Sequence, residues 1–145
     1  MIKWTFDRLA AFAGLLLLGW LLLVVAICIR VKMPGPVFFR QRRVGLGGRL
    51  FTMVKFRTMT LNHGGSSVSV AGESRITPLG ARLRRWKLDE LPELWNVLVG
   101  DMSFVGPRPE CPALAEEYCR ATPQFSYRLK VKAGLTGYAQ VYGKY

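Results

Sequence analysis

Leu9–Ile29 reads LAAFAGLLLLGWLLLVVAICI and carries no charged residue. At 1.5 Å per residue, a helix of that length runs about 30 Å, enough to cross the hydrocarbon core of a bilayer. The run is long for a signal peptide, and no small-x-small cleavage site follows it before Arg30. Both flanks are basic, with Lys3 and Arg8 before the run and Arg30 and Lys32 after it. Basic flanks favour the cytoplasmic side. A simple span cannot put both ends there, whereas a re-entrant helical hairpin can. Gly14 and Gly19 are the helix-weakening residues inside the run, which places the expected bend near Gly19–Trp20. On the flanks alone, a plain span stays open.

Beyond the run, charge is the next constraint. Lysine and arginine total 21 against nine acids, a formal charge of +12. No Asp or Glu occurs between Asp7 and Glu73, a stretch rich in arginine. Such a field draws phosphate-rich partners: anionic lipid, nucleic acid or nucleotide. Its position directly after an apolar segment favours lipid headgroups. The cysteines give no framework, because Cys28 lies in the apolar run and Cys111 and Cys119 form no C-x-x-C pair. With His63 the one histidine, a zinc site is not expected, and His63 reads as a loop residue.

Met33-Pro34-Gly35-Pro36 stops any helix and turns the chain. This divides it into a membrane-embedded helix over residues 1–32 and a small cytoplasmic domain over residues 33–145. Val37–Gln41 and Leu50–Phe56 are β-rich runs around Gly45-Leu46-Gly47-Gly48, which reads as a hairpin; the glycines lack the spacing of a phosphate loop. Arg49, Lys55 and Arg57 alternate along the second strand, a basic face that either reaches phosphates or is simply exposed. Leu61–Ser74 is small and polar, a candidate lid. Thr77-Pro78 opens a helix, with Thr77 as its cap.

Leu88-Asp89-Glu90-Leu91-Pro92-Glu93-Leu94-Trp95-Asn96-Val97-Leu98 follows. Leu91, Leu94, Trp95 and Leu98 fall on one helical face. Pro92 is tolerated only near a helix start, so the helix should begin around Asp89 and present Asp89 and Glu90, ionised, at its N-terminus. Asp89 as a mere cap is the plain alternative. Two features favour a site: the cations Arg82, Arg84, Arg85 and Lys87 precede the acids, and after a short strand, Met102–Val105, prolines flank Arg108. That setting restricts the backbone of Arg108 and suits a guanidinium to bidentate phosphate recognition. Gly134 and Gly137 mark tight turns or close approach.

Three segments together resemble the bacterial sugar transferase family, the monotopic polyprenyl-phosphate phosphoglycosyl transferases. They are Pro34 to Gln41 through Lys55-Phe56-Arg57-Thr58-Met59, Leu88 to Pro92 through Gly100 to Pro109, and Gly134 to Val141. The resemblance covers essentially the whole chain. It implies an α+β fold in which a re-entrant membrane helix hairpin precedes a small domain of helices around a short β-hairpin. The implied reaction moves a sugar 1-phosphate from a UDP-sugar to polyprenyl phosphate, through a covalent intermediate on Asp89, at the cytoplasmic face of the bacterial inner membrane. Glu90 would bind the required Mg²⁺, and Arg84, Arg108 and Lys144 would contact phosphates. The implied partners are the UDP-sugar donor, the polyprenyl phosphate acceptor and membrane lipid, with no nucleic acid.

The chain departs from the family at three points. Gly19-Trp20 replaces the usual Ser-Pro bend, and Lys132-Ala133-Gly134 stands where Arg-Pro-Gly is common. Members also continue with helical sequence where this chain stops at Tyr145, which makes a C-terminally truncated form the expectation. The alternative reading is a non-catalytic, membrane-tethered basic module that binds anionic lipid or nucleic acid.

Overall fold

The computed structural model describes residues 2–61 and 75–143. The candidate lid from residue 62 on, with His63, and Lys144 fall outside the described residues. The order is α1 (Ile2–Lys32), β1 (Phe38–Val44), β2 (Leu50–Phe56), α2 (Pro78–Arg85), a 3-10 turn (Leu88–Glu93), α3 (Leu94–Val99), β3 (Met102–Val105), α4 (Pro112–Ala121), β4 (Ala133–Thr136) and α5 (Tyr138–Tyr142). The α+β class follows from this order.

Helix α1 is one uninterrupted element of 31 residues. The expected hairpin at Gly19–Trp20 is not seen as a break. Glycine weakens a helix by only about 1 kcal/mol, and the surrounding leucines carry the helix through it. A single stripe of α1 meets the body near both ends. Toward the start, Ala11 joins Met53, Val97, Met102 and Ala133 in one buried cluster. Toward the end, Val25, Ile29 and Met33 join Phe56 and Leu83 in a second. The remaining faces stay apolar and exposed, with Phe6, Leu9, Leu16, Trp20, Leu23 and Ile27 among them. By length and composition α1 could cross a membrane.

Polar contacts pin both ends of α1. At the start, Ser103 Oγ donates to Asp7 Oδ2 at 2.6 Å, and Lys3 Nζ donates to the same oxygen at 2.9 Å. At the far end the buried Arg57 guanidinium donates to the carbonyls of Met33 and Pro34. Arg57 therefore ties the end of α1 to the hairpin and does not join a basic face with Arg49 and Lys55.

Strands β1 and β2 pair antiparallel from Val44↔Leu50 beside the turn to Phe38↔Phe56, as the hairpin reading requires. On β2, Val54 N–H donates to Asn96 Oδ1 at 3.1 Å, and Asn96 Nδ2 donates to the Thr52 carbonyl at 2.8 Å. One side chain, only 2% exposed, thus replaces a neighbouring strand and fastens α3 to the sheet. Strands β3 and β4 form a separate parallel pair. A Cβ on Gly134 would stand 2.1 Å from Gly106 N, so this glycine serves backbone packing between the end of β3 and β4.

The helix expected from Asp89 is divided. A 3-10 turn covers Leu88–Glu93, and α3 starts only at Leu94. Lys87, the turn's N-cap, has φ 56, and Pro92 lies within the turn. Proline lacks the N–H for an α-helical bond, and the tighter turn rotates the side chains that follow. As a result Leu94 and Val97 are buried, whereas Trp95 is 55% exposed and leaves the face predicted for it.

Candidate active site

The 3-10 turn carries Asp89, Glu90 and Glu93 onto the face of β2 that bears Lys55. Lys55 Nζ lies 2.9 Å from Glu90 Oε1, as a hydrogen bond, and 2.9 Å from Glu93 Oε1. The second contact is an ion pair. Arg108 Nη1 approaches Glu90 Oε1 to 3.5 Å. Asp89 is buried, with Oδ1 lacking any hydrogen-bond partner, and the cap of the turn is Lys87. A capping role for Asp89 is thereby excluded.

Two supports aim the arginines. In α2, Thr77 Oγ1 accepts from Gly80 N at 2.9 Å, the cap expected from Thr77-Pro78. A Cβ at Gly80 would collide with the Thr58 carbonyl at 2.0 Å, so glycine allows α2 to lie against the segment after β2. That approach brings Arg84 Nε to 2.9 Å from Thr58 Oγ1. The Pro107–Pro109 loop is fixed by its carbonyls: Pro107 O accepts from Gly134 N at 2.9 Å, and Pro109 O from Arg43 Nη1 at 3.1 Å. Arg128 donates to Arg108 O, and Glu110 lies 3.7 Å from Arg128 and 3.9 Å from Arg43. Arg43 and Arg128 hold backbone, which leaves the Arg108 guanidinium presented toward the acids.

The electrostatics separate the three carboxyls. Burial pushes Asp89 up from its ordinary value, the charge of Glu90 adds to this, and Lys55 and Arg84 oppose it. Desolvation outweighs the nearby cations here, so the upward push on Asp89 runs against the stabilisation expected of a helix N-terminus. Burial also acts to raise Glu90, but Lys55 and Arg108 overcome it and hold Glu90 below the usual carboxylate range. Glu93 is pushed up by burial despite Lys55.

Of the sequence-predicted site residues, Asp89, Glu90, Arg84 and Arg108 are brought together, and Lys144 lies outside the described residues. Lys55 and Glu93 join them. Lys55 was legible only as one cation of an alternating strand, and Glu93 had no local signal. Among the described residues no group of three or more His, Cys, Asp or Glu side chains is arranged to hold a metal by itself. Mg²⁺ does not need one, since it commonly takes one or two carboxylates together with substrate phosphates and water. An ionised Glu90 beside an unpartnered Asp89 oxygen has the hard-oxygen chemistry that ion prefers, so the donor set fits.

A carboxylate pair among cations, on a body joined to a long apolar helix, defines an α+β module suited to anionic substrates. The chain belongs to the bacterial sugar transferase family, whose model matches residues 1–145. It is 46% identical over 140 residues to a UDP-glucose:undecaprenyl-phosphate glucose-1-phosphate transferase of Xanthomonas campestris pv. campestris, covering 94% of this chain and 29% of that protein. A transferase of the same description from Caulobacter vibrioides is 45% identical, covering 97% and 54%. A UDP-N-acetylgalactosamine-undecaprenyl-phosphate N-acetylgalactosaminephosphotransferase of Aeromonas hydrophila is 42% identical, covering 97% and 34%. The chain thus spans between 29% and 54% of the length of these relatives.

Proposed function

We propose that this chain transfers a sugar 1-phosphate from a UDP-sugar to polyprenyl phosphate, releasing UMP and giving a polyprenyl diphospho-sugar. The observation that carries this reading is the Asp89 carboxyl, buried with an unpartnered oxygen, among Lys55, Arg84 and Arg108. The relatives' descriptions name the same donor and acceptor classes.

In the first step an Asp89 oxygen attacks the β-phosphorus of the donor. The bond from that phosphorus to the bridging oxygen breaks, and UMP leaves with the electron pair. In the second step a phosphate oxygen of the polyprenyl phosphate attacks the same phosphorus, and the acyl phosphate bond breaks to return the carboxylate. Splitting the transfer this way lets the site meet one anionic substrate at a time. Arg84 and Arg108 would offset the repulsion between carboxylate and phosphates, with Lys144 as a further candidate. Glu90 would hold Mg²⁺, which supplies charge neutralisation to the phosphates when bound. Desolvation keeps the Asp89 nucleophile poorly hydrated, which favours attack once it is ionised.

The apolar faces of α1 would lie in the lipid, with its two ends on the cytoplasmic side of the bacterial inner membrane. The docking of both ends of an unbroken α1 on one body supports the placement of those ends on the same side. Labelling of single cysteines placed before Leu9 and after Ile29 should find both accessible from the same side; opposite-side labelling would rule it out. For the reaction, UMP is followed with Mg²⁺ and a panel of UDP-sugars, with and without polyprenyl phosphate. Turnover that requires the lipid is expected, with about one equivalent of UMP per enzyme without it. No UMP from any donor, together with tight binding to anionic vesicles, would favour the non-catalytic module.

A further inference from the structure

We infer that Glu93 is a positioning residue for the donor's diphosphate and acts through Lys55, an inference that rests on the transferase reading above. An ammonium offers three N–H donors on a flexible stem, so its direction is set by whatever holds it. Here Nζ stands 2.9 Å from an oxygen of Glu90 and 2.9 Å from an oxygen of Glu93.

The two carboxylates are not equivalent. The Glu90 side chain keeps 16% of its surface in solvent and shares its oxygen with Arg108 at 3.5 Å. It can exchange Lys55 for another cation at little penalty, because water and Arg108 remain available. The Glu93 side chain is only 4% exposed, and Lys55 at 2.9 Å is its nearest counter-charge, ahead of the more distant Arg108 and Arg43. A buried carboxylate without a counter-charge is strongly disfavoured. Glu93 therefore retains the lysine whenever Glu90 turns to other work.

Consider Lys55 with Glu90 as its one partner. Once Glu90 engaged a metal or a phosphate-bound cation, the ammonium would be repelled toward solvent and its charge lost to the site. Anchored by Glu93, Nζ stays where its charge is felt by Asp89 and keeps N–H donors for incoming phosphate oxygens. The burial of Lys55, with 13% of its side chain exposed, then also makes sense. Its stem is held by β2 and its head by a carboxylate that takes no part in bond making. A Glu93 that merely neutralised a buried lysine would not need that lysine to face the reacting carboxyl.

A double-mutant cycle separates the two roles. The variants are Glu93→Gln, Lys55→Met and the double substitution, in the full chain. Each is measured for kcat and donor KM in UMP release, with UDP-glucose or UDP-N-acetylgalactosamine, polyprenyl phosphate and saturating Mg²⁺, and for thermal midpoint. Glu93→Gln should raise donor KM about tenfold, the order of one charge-assisted contact, with little change in midpoint. In the Lys55→Met background the same substitution should change KM by less than about twofold, since its effect runs through the lysine. Glu93→Asp, which keeps the charge but draws Nζ back, should fall between. Additive effects on KM, or a lowered midpoint with unchanged KM, would overturn the inference while leaving the transferase reading intact. Absence of UMP from the unsubstituted chain with every donor would instead remove the reading on which it rests.

Discussion

Asp7 and Asp89 are both buried, at 4% and 8% exposure, yet their carboxyls are pushed in opposite directions. At Asp7, burial acts upward but is outweighed by hydrogen bonds from Ser103, Lys3 and the Phe104 N–H, and the carboxyl is held below its ordinary value. At Asp89, burial dominates, and one oxygen has no donor at all. Lone pairs saturated with donors make an anchor that fixes the start of α1 to β3. Lone pairs left open make a group whose charge is available to a reaction. Burial alone does not distinguish structure from chemistry; the donor count does.

The comparison breaks most visibly at Asp89. Asp89→Asn should lower UMP release on the order of 10⁴-fold or more, because the nucleophile is gone, while leaving the thermal midpoint near that of the parent. Asp7→Asn should do the reverse. It weakens a saturated buried network by about 1–3 kcal/mol, read as a lower midpoint in thermal unfolding, with kcat of the folded fraction preserved. Equal loss of activity and stability in both variants would erase the distinction. A third buried polar residue sharpens it. Asn96→Leu orphans the Val54 N–H and the Thr52 carbonyl and should cost about 1–3 kcal/mol for each group left unpaired, measured by denaturant unfolding.

The pH dependence follows from the same contrast. Attack needs ionised Asp89, so the acid limb of UMP release should lie above the ordinary aspartate value of 3.8. Glu90→Gln removes a charge that raises Asp89 and should move that limb to lower pH, even as the rate falls for want of Glu90. For stability the signs differ. Asp7 contributes above its unfolded pKa and loses that contribution as pH falls through its depressed folded value. Asp89 contributes below its unfolded pKa and loses it as pH rises through the raised folded value. At neutral pH, Asp89→Asn should therefore be at least as stable as the parent. The smallest effect is expected at Arg84. Arg84→Lys keeps the charge but loses the Nε–H bond to Thr58, and should raise donor KM about two- to fivefold with stability changed by less than about 0.5 kcal/mol.

Local signals carried much of the fold. The bounds of β2, the Thr77 cap and the β3 strand were legible because period-two hydrophobicity and capping chemistry act within a few residues. The parallel β3–β4 pair was not, since two four-residue strands so far apart in the chain signal no partnership. Leu88–Leu98 misled by its apolar spacing: the positive φ of Lys87 and the ring of Pro92 produced a 3-10 turn, and Trp95 rotated outward. Arg57 looked like part of a phosphate-binding face because alternation gives direction but not partners; the carbonyls it holds are those of Met33 and Pro34, directly after α1. Asp89, Glu90, Arg84 and Arg108 were recognisable from motif order, whereas Lys55 and Glu93 joined them through a pairing of strand and turn that local pattern does not encode. The position of a bend in α1 was read from Gly14 and Gly19, and the helix runs through both, because glycine weakens a helix without by itself breaking it.

The central claim concerns the open oxygen of Asp89. Enzyme mixed with a UDP-sugar and Mg²⁺, without polyprenyl phosphate, is quenched in acid and its peptides are weighed by mass spectrometry. The added mass of one sugar phosphate on the peptide containing Asp89, localised to that residue and absent in Asp89→Asn, is the expected result. The same mass on another residue, or no adduct while UMP is released steadily, would contradict the account.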